Sequence, residues 1–271
     1  MGKGTVLITG STDGIGFQTA TDLIRAGYRV IIHGRNLPRL SEAAGKIEKL
    51  TGVRPEGVTG DLSSLQEVRT IADQIFKITG RLDMLVNNAG VFSHERRFTN
   101  EGFELTWGVN HLAHFLLSGL LMPLLMEHKP GRLVQVASMA HASSLDFSNL
   151  QGERYYDGFD AYQRSKLCNI LFVKKLSRMV PPETLETFSL HPGVIATKLL
   201  HQSWGPGGDN LETGAGNITF LAPGIRVKAP SGSYFVNRKP ARPAPAAHDT
   251  RLQDRLWSLS EKLSGFSYNF S

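Results

Sequence analysis

MGKGTVLITGSTDGIG, residues 1–16, sets a short apolar run (Val6, Leu7, Ile8) directly before Thr9-Gly10-Ser11-Thr12-Asp13-Gly14-Ile15-Gly16. That order reads as a strand feeding a glycine-rich turn that opens a helix. Glycines at 10, 14 and 16 permit positive φ and close backbone approach, while the unpaired N–H groups of a helix start attract an anion. The geometry is the one a dinucleotide pyrophosphate needs, with Gly10, Ser11, Thr12, Asp13, Gly14, Ile15 and Gly16 as its candidate cradle. Glycine turns follow many strands for structural reasons alone, so the rest of the chain has to decide.

Outward from this stretch, apolar runs alternate with helical patterns, the sign of a parallel sheet covered on both faces. Strands are predicted at residues 6–9, 29–33, 54–59, 84–87, 133–137 and 187–190, with a seventh at 233–236. Helices are predicted near 16–26, 38–51, 64–79, 103–127, 161–178, 212–221 and 250–263. Leu65, Val68, Ile71, Ala72, Ile75 and Phe76 fall at helical spacing and are expected to pack on the sheet. The Pro/Ala-rich stretch 239–247 reads as an extended connector, and the glycine-rich stretch 198–210 as a mobile loop.

The chain has 271 residues, 41% hydrophobic, enough for one domain with a large core. A charge of +6 is mild, and no basic stretch interleaved with aromatics suggests nucleic acid. No run approaches the ~20 apolar residues of a membrane span. A single cysteine, Cys168, excludes an internal disulfide framework and suits a reducing, cytoplasmic compartment. His111 and His114 lack companions at metal-ligand spacing, so no metal site is expected. Asn217-Ile218-Thr219 matches a glycosylation acceptor without a secretory context.

Four features then follow in order. The second strand ends in His33-Gly34-Arg35-Asn36, where an acidic residue would bind a free ribose and repel a 2′-phosphate. Arg35 instead offers a bidentate guanidinium to that phosphate, with Asn36, Ser11 and Thr12 as further donors. Asp61-Leu62 follows the third strand, where the carboxylate either meets the adenine or caps the next helix in competition with Ser63. Asn87-Asn88-Ala89-Gly90 supplies small residues that let the chain pass beside a cofactor. Tyr162-Gln163-Arg164-Ser165-Lys166 places a phenol and an ammonium one turn apart on one helical face. A tyrosine of pKa ~10 is a poor acid–base at neutral pH unless a cation stabilises its phenolate. Ser138, past the fifth strand, is placed to reach the same substrate oxygen.

This series resembles the short-chain dehydrogenase/reductase family over nearly the whole chain. Within it, AYQRSKLCNILF (161–172), SLHPGVIATKLLHQSW (189–204) and the tail 250–265 resemble the retinol dehydrogenase-like and WW-domain oxidoreductase group. The resemblance implies a single Rossmann-type domain, α/β with a doubly wound parallel sheet of about seven strands. Its cofactor-binding part would run over about 1–135 and its catalytic and substrate-loop part over about 136–271. It also implies a catalytic tetrad. Tyr162 would be the general acid–base and Ser138 would orient the carbonyl. Lys166 would bind the nicotinamide ribose and lower the tyrosine pKa. Asn110 would hold a relay water through its helix. Asn88, Ala89 and Gly90 would line the cofactor, Pro192, Gly193 and Val194 would form the nicotinamide turn, and Thr197 would reach the carboxamide. The expectation is an NADP(H)-dependent reductase of lipophilic ketones or aldehydes. Phe147, Tyr155, Tyr156 and Phe159, with Leu199, Leu200 and Trp204, would form an apolar rim. Two alternatives stay open, a non-catalytic NADP(H)-binding scaffold and a C=C reductase, and assembly as a homo-oligomer is left open.

Overall fold

A computed structural model of the chain describes residues 3–127 and 130–270, apart from the Trp204 side chain. Its strands are β1 (Thr5–Ile8), β2 (Arg29–Gly34), β3 (Glu56–Thr59), β4 (Met84–Asn87), β5 (Gly131–Val136), β6 (Leu185–His191), β7 (Tyr234–Val236) and β8 (Lys239–Ala241). They form one sheet in the order β3-β2-β1-β4-β5-β6-β7-β8, parallel from β3 to β7. Val6 pairs with Val30 on one side and Met84 on the other, so strand order reverses between β1 and β4. In open α/β sheets such a reversal is where ligands bind, outside the carboxyl ends of the strands.

The helices are α1 (Gly14–Arg25), α2 (Leu37–Thr51), α3 (Leu65–Ile78), α4 (Leu105–Trp107), α5 (Ala113–Leu120), α6 (Met122–Met126), α7 (Gly158–Met179), α8 (Lys198–Trp204), α9 (Leu211–Thr219) and α10 (Thr250–Ser264). Period-two alternation decides which layer each strand residue meets. Leu7 and Ile31 pack with Val68, Ile71 and Phe172 of α3 and α7. Val6, Ile8 and Ile32 pack with Leu23, Ile47 and Ile218 of α1, α2 and α9. With both faces covered, β1 can be a continuous apolar run.

Several expectations are corrected. The expected α/β fold and its seven strands are present, and an eighth strand joins them: Asn237 and Arg238, at φ 50 and 61, turn β7 into β8, which pairs antiparallel with it. β8 lies inside the stretch expected to be an extended connector. It carries Pro240, a residue tolerated where an edge strand needs no further N–H donor. The helix expected over 103–127 is broken into α4, a π-helical turn (Gly108–Leu112), α5 and α6, the last carrying Pro123 in its first turn. The stretch 198–210 is not all loop, since Thr197 caps α8 by accepting from Leu200 N. On α3, Val68, Ile71, Ala72 and Ile75 are buried, but Phe76 is 45% exposed. At ~100° per residue Phe76 lies a quarter turn off the buried stripe.

Candidate active site

The turn after β1 is held from both sides. Gly10 and Gly14 have φ 63 and 57. A Cβ on Gly16 would meet Gly10 O at 2.4 Å and Asn88 Nδ2 at 2.6 Å, so α1 can start this close to the turn only with glycine there. Asp13 caps α1 through Gly14 N (2.8 Å) and forms an ion pair with Lys198. The amides of Ile15 and Gly16, in the helix's first turn, have no intrahelical acceptor. Ser11 is buried: its hydroxyl donates to Ile8 O (2.8 Å) and accepts from His33 N (2.8 Å), clipping β1 to β2. Thr12 abuts Gly34, where a Cβ would stand 2.4 Å from Thr12 Cγ2.

His33, read from sequence only as a strand end, proves to be part of the turn. Gly10 N donates to its Nδ1 (3.1 Å), and Nε2 donates to Gly60 O (2.9 Å). Burial pushes its pKa down and keeps the ring neutral. Arg35 and Asn36 beside it are exposed, and Asn36 Oδ1 caps α2 through Arg39 N (3.1 Å). Asp61 Oδ1 accepts from Ser63 N (2.8 Å), while Ser64, not Asp61 or Ser63, caps α3. The Leu62 side chain is buried in the core.

The exit of β4 is bolted to the same turn. Asn88 Nδ2 donates to Thr9 O (2.9 Å) and Gly10 O (3.1 Å), while the amides of Asn88 and Ala89 donate to Thr9 Oγ1. Beyond them, a Cβ on Gly90 would stand 3.5 Å from Asn110 Oδ1, 3.6 Å from Lys166 Nζ and 3.9 Å from Leu199 Cδ1. The missing side chain therefore leaves a gap between three of the elements expected at the site.

α7 starts at the Asp157 cap and buries Tyr162 and Lys166 one turn apart. Lys166 Nζ lies 5.3 Å from the Tyr162 ring centroid and donates to Val136 O (3.1 Å). Burial pushes Tyr162 up to about 12, opposed by its hydrogen bond with the Ser138 side chain, and pushes Lys166 down to about 8. Ser138 is held by His141, whose Nδ1 donates to Ser138 O (2.7 Å) while Nε2 accepts from Ala244 N (2.9 Å). Asn110 sits in the π-helical turn. Its Oδ1 accepts from Val91 N (2.8 Å), and its Nδ2 donates to Val91 O (3.1 Å) and Ser165 Oγ (3.0 Å). The Ser165 hydroxyl in turn donates to Tyr162 O (2.7 Å), so Asn110 ties the β4 exit to α7.

After β6, Gly193 has φ 106, Pro192 is buried and Val194 is exposed. Asn217 Nδ2 donates to Pro192 O (2.9 Å); this asparagine is 3% exposed, so the matching glycosylation triplet is inaccessible in the folded chain. Thr197 Cγ2 lies 3.5 Å from where a Gly14 Cβ would stand, which brings the start of α8 against the glycine turn.

The expected aromatic rim divides. Phe159 faces Phe92, a residue sequence reasoning missed, at 5.2 Å between centroids, and Phe92 lies 6.2 Å from Tyr162. Phe92, Ser93, His94, Glu95, Arg97 and Gln202 line an open pocket of about 410 Å³. His94 Nε2 donates to Gln202 O (2.9 Å), joining this wall to α8. Tyr155 is 61% exposed. The Tyr156 hydroxyl donates to Ser93 O (2.9 Å), and Phe147 lies under the Arg255 guanidinium (4.0 Å). Leu200 is partly buried on α8, and the Trp204 side chain lies outside the described residues. Cys168 is a core thiol, pushed up to about 12 by burial. Among the described residues no three His, Cys, Asp or Glu side chains are grouped to hold a metal.

A helix start with unfilled amides, two glycines at positive φ, and a gap at Gly90 facing Lys166 and Asn110 fit a nicotinamide dinucleotide. The comparisons with known proteins agree. Residues 4–205 match the family model for short chain dehydrogenase, and the chain belongs to that family of oxidoreductases, whose members bind a nicotinamide cofactor. It is retinol dehydrogenase-like: retinol dehydrogenase 14 of Mus musculus is 38% identical over 287 residues, covering 96% of this chain and 86% of that one. A solved but uncharacterized protein from Mycobacterium Paratuberculosis superposes with a TM-score of 0.83 at 31% identity, covering 99% and 96% of the two chains. A short chain dehydrogenase from Shigella flexneri complexed with NADP gives a TM-score of 0.62 at 25% identity, covering 75% and 82%. No helix among the described residues is long and apolar enough to cross a membrane.

Proposed function

We propose that this protein is an NADP(H)-dependent oxidoreductase that interconverts carbonyls and alcohols and reduces lipophilic ketones or aldehydes. The observation that carries the reading is the buried trio Ser138, Tyr162 and Lys166, opening on the gap at Gly90. When bound, the nicotinamide supplies the hydride. Ser138 and Tyr162 then grip the substrate oxygen, and Tyr162 gives up or takes the proton. Lys166, a turn away, stabilises the phenolate and holds the ribose. Asn110 keeps a water within reach of Lys166. Pro192, Gly193, Val194 and Thr197 back the nicotinamide, and Asp61, Leu62, Asn88 and Ala89 line the adenosine side. The whole chain serves as one domain for this chemistry.

Incubating the protein with NADPH and acetaldehyde, nonanal, all-trans-retinal, cyclohexanone and cyclohexenone, and following NADPH absorbance, tests the reading. Retinal is included because of the relative's name. Oxidation with nonanal or retinal well above that with acetaldehyde supports it. Turnover confined to the C=C bond of cyclohexenone would make the protein an enone reductase, and none with any compound would make it a binding scaffold.

Cofactor choice rests on Arg35, exposed directly after β2, with no acidic residue at that place. A charge-assisted contact with a phosphate contributes ~1.5–3 kcal/mol, or about one to two decades in affinity. Arg35→Ala is expected to weaken NADPH by that factor and NADH barely, as read by cofactor fluorescence titration. Equal affinity of the unaltered protein for both cofactors would overturn the assignment. For the substrate wall, Phe159→Ala is expected to raise KM for nonanal by about tenfold while leaving acetaldehyde within about twofold, because only the longer chain loses apolar contact. Equal effects on both would remove Phe159 from the substrate wall.

A further inference from the structure

His114 lies one turn beyond Asn110 and is 1% exposed. Its Nδ1 stands 3.1 Å from the Asn110 main-chain oxygen and its Nε2 3.0 Å from Thr9 Oγ1. The protons on this chain can be counted. Thr9 Oγ1 accepts from Asn88 N at 2.9 Å and from Ala89 N at 3.0 Å, which fills both hydroxyl lone pairs. One hydroxyl hydrogen remains. It has His114 Nε2 at 3.0 Å and Val86 O at 3.4 Å, and only the imidazole nitrogen is at good distance. The Asn110 carbonyl can only accept, so the proton of a neutral ring belongs on Nδ1. The opposite tautomer would set two lone pairs against each other at Asn110 and a third donor on Thr9 Oγ1.

We infer that His114 is a positioning residue, held as the neutral Nδ1–H tautomer, that couples the glycine turn to the main-chain carbonyl of Asn110. One ring edge takes the hydroxyl that pins Asn88 and Ala89, and the other aims the carbonyl of the π-helical turn. The Asn110 side chain ties Val91 to Ser165, and its main-chain oxygen, fixed in direction by the His114 ring, is taken as the group that holds the relay water. On that part the inference rests on the reading of Asn110 given above. Its cofactor part rests only on the contacts of Thr9. Burial pushes His114 down to about 3, which agrees with a ring that stays uncharged.

Two substitutions separate the edges. The amide of His114→Asn falls near the Nδ1 position and keeps a donor for Asn110 O while abandoning Thr9. The amide of His114→Gln reaches the Nε2 position and does the reverse. Losing one such bond is worth about three- to tenfold in an equilibrium or rate. The Asn variant is therefore expected to weaken NADPH by that factor relative to its effect on kcat for nonanal, and the Gln variant to lower kcat by that factor relative to its effect on NADPH affinity. A direct readout needs no turnover: side-chain ¹H–¹⁵N correlation spectra, with the His114 signals identified by their loss in the Asn variant, should show the Nδ1–H tautomer. An Nε2–H or doubly protonated pattern overturns the inference. So does equal behaviour of the Asn and Gln variants in both kcat and NADPH affinity. A Tyr162→Phe control keeps the two readings apart. If that variant turns over normally, the relay reading and the Asn110 half fall together, and NADPH affinity in the Asn variant with the tautomer still decides the Thr9 half.

Discussion

Replacing Tyr162 with phenylalanine is expected to lower kcat by about 10²–10⁴-fold while NADPH affinity changes by less than about threefold. The asymmetry follows from where the hydroxyl sits. The ring is buried beside Lys166 and Phe92 and packs equally well without its oxygen, so the fold and the cofactor cleft should survive. Only the proton donor and the hydrogen bond with Ser138 are lost. In the protein alone, burial raises Tyr162 to about 12 and lowers Lys166 to about 8, so the phenol is not yet tuned for neutral pH. A positive charge entering the gap beside Gly90 favours the phenolate and disfavours the ammonium. The Phe variant should therefore lose the pH dependence carried by the tyrosine as well as its rate. Steady-state kinetics with nonanal and fluorescence titration with NADPH measure both. More than a tenth of the original turnover remaining would remove Tyr162 from the acid–base role.

Much of this arrangement was legible in the chain, for physical reasons that also mark where legibility stopped. β1 and its turn are short-range: the apolar run, the glycines and the Asp13 cap all lie within 16 residues, and the structure differs from the expectation by two residues at the helix start. The Tyr162 and Lys166 pair is equally local, because helical spacing alone brings the two together. The clamps were not legible. His33 meets Gly10 across 23 residues, His114 meets Thr9 across 105, and Ala244 meets His141 across 103. Nothing in a histidine's sequence neighbourhood says which distant hydroxyl or amide it will face. The paths of the rim aromatics were not legible for the same reason. Phe147 and Phe159 are twelve residues apart with similar surroundings, and only the path of the loop sends one under Arg255 and the other against Phe92. β8 escaped because Pro240 argues locally against a strand, whereas its pairing depends on the two positive-φ residues that precede it.

Those buried rings also make the fold acid-labile, and this is the largest stability effect expected. His111 and His114 are both pushed down to about 3, His191 to about 4, and His33 in the same direction, in each case chiefly by burial. Two of them already spend a nitrogen as an acceptor, His33 from Gly10 N and His114 from Thr9, so a second proton would cost a hydrogen bond as well as desolvation. The sign is fixed by linkage. A folded pKa below the unfolded value of ~6.5 means the unfolded chain binds more protons below that pH. The stability is therefore fully present above ~6.5 and falls as the pH drops toward about 3, by about 1.4 kcal/mol per pH unit for each ring. His111 and His114 together would withdraw on the order of 5 kcal/mol between pH 6 and pH 4, which is comparable with the ~5–15 kcal/mol net stability of a typical domain. Urea unfolding followed by circular dichroism should show midpoints that are flat above pH 7 and fall steeply below 6. His111→Gln, whose amide can keep the contact with Ser260 (2.9 Å) without titrating, should flatten that slope by about one proton. Midpoints unchanged from pH 7 to 4.5 would overturn the assignment of neutral buried rings. Because His33 and His114 hold Gly10 and Thr9, binding of the acid-stable oxidised dinucleotide, followed by calorimetry, should be lost over the same acid range in which the urea midpoint falls, as the glycine turn loses its clamps.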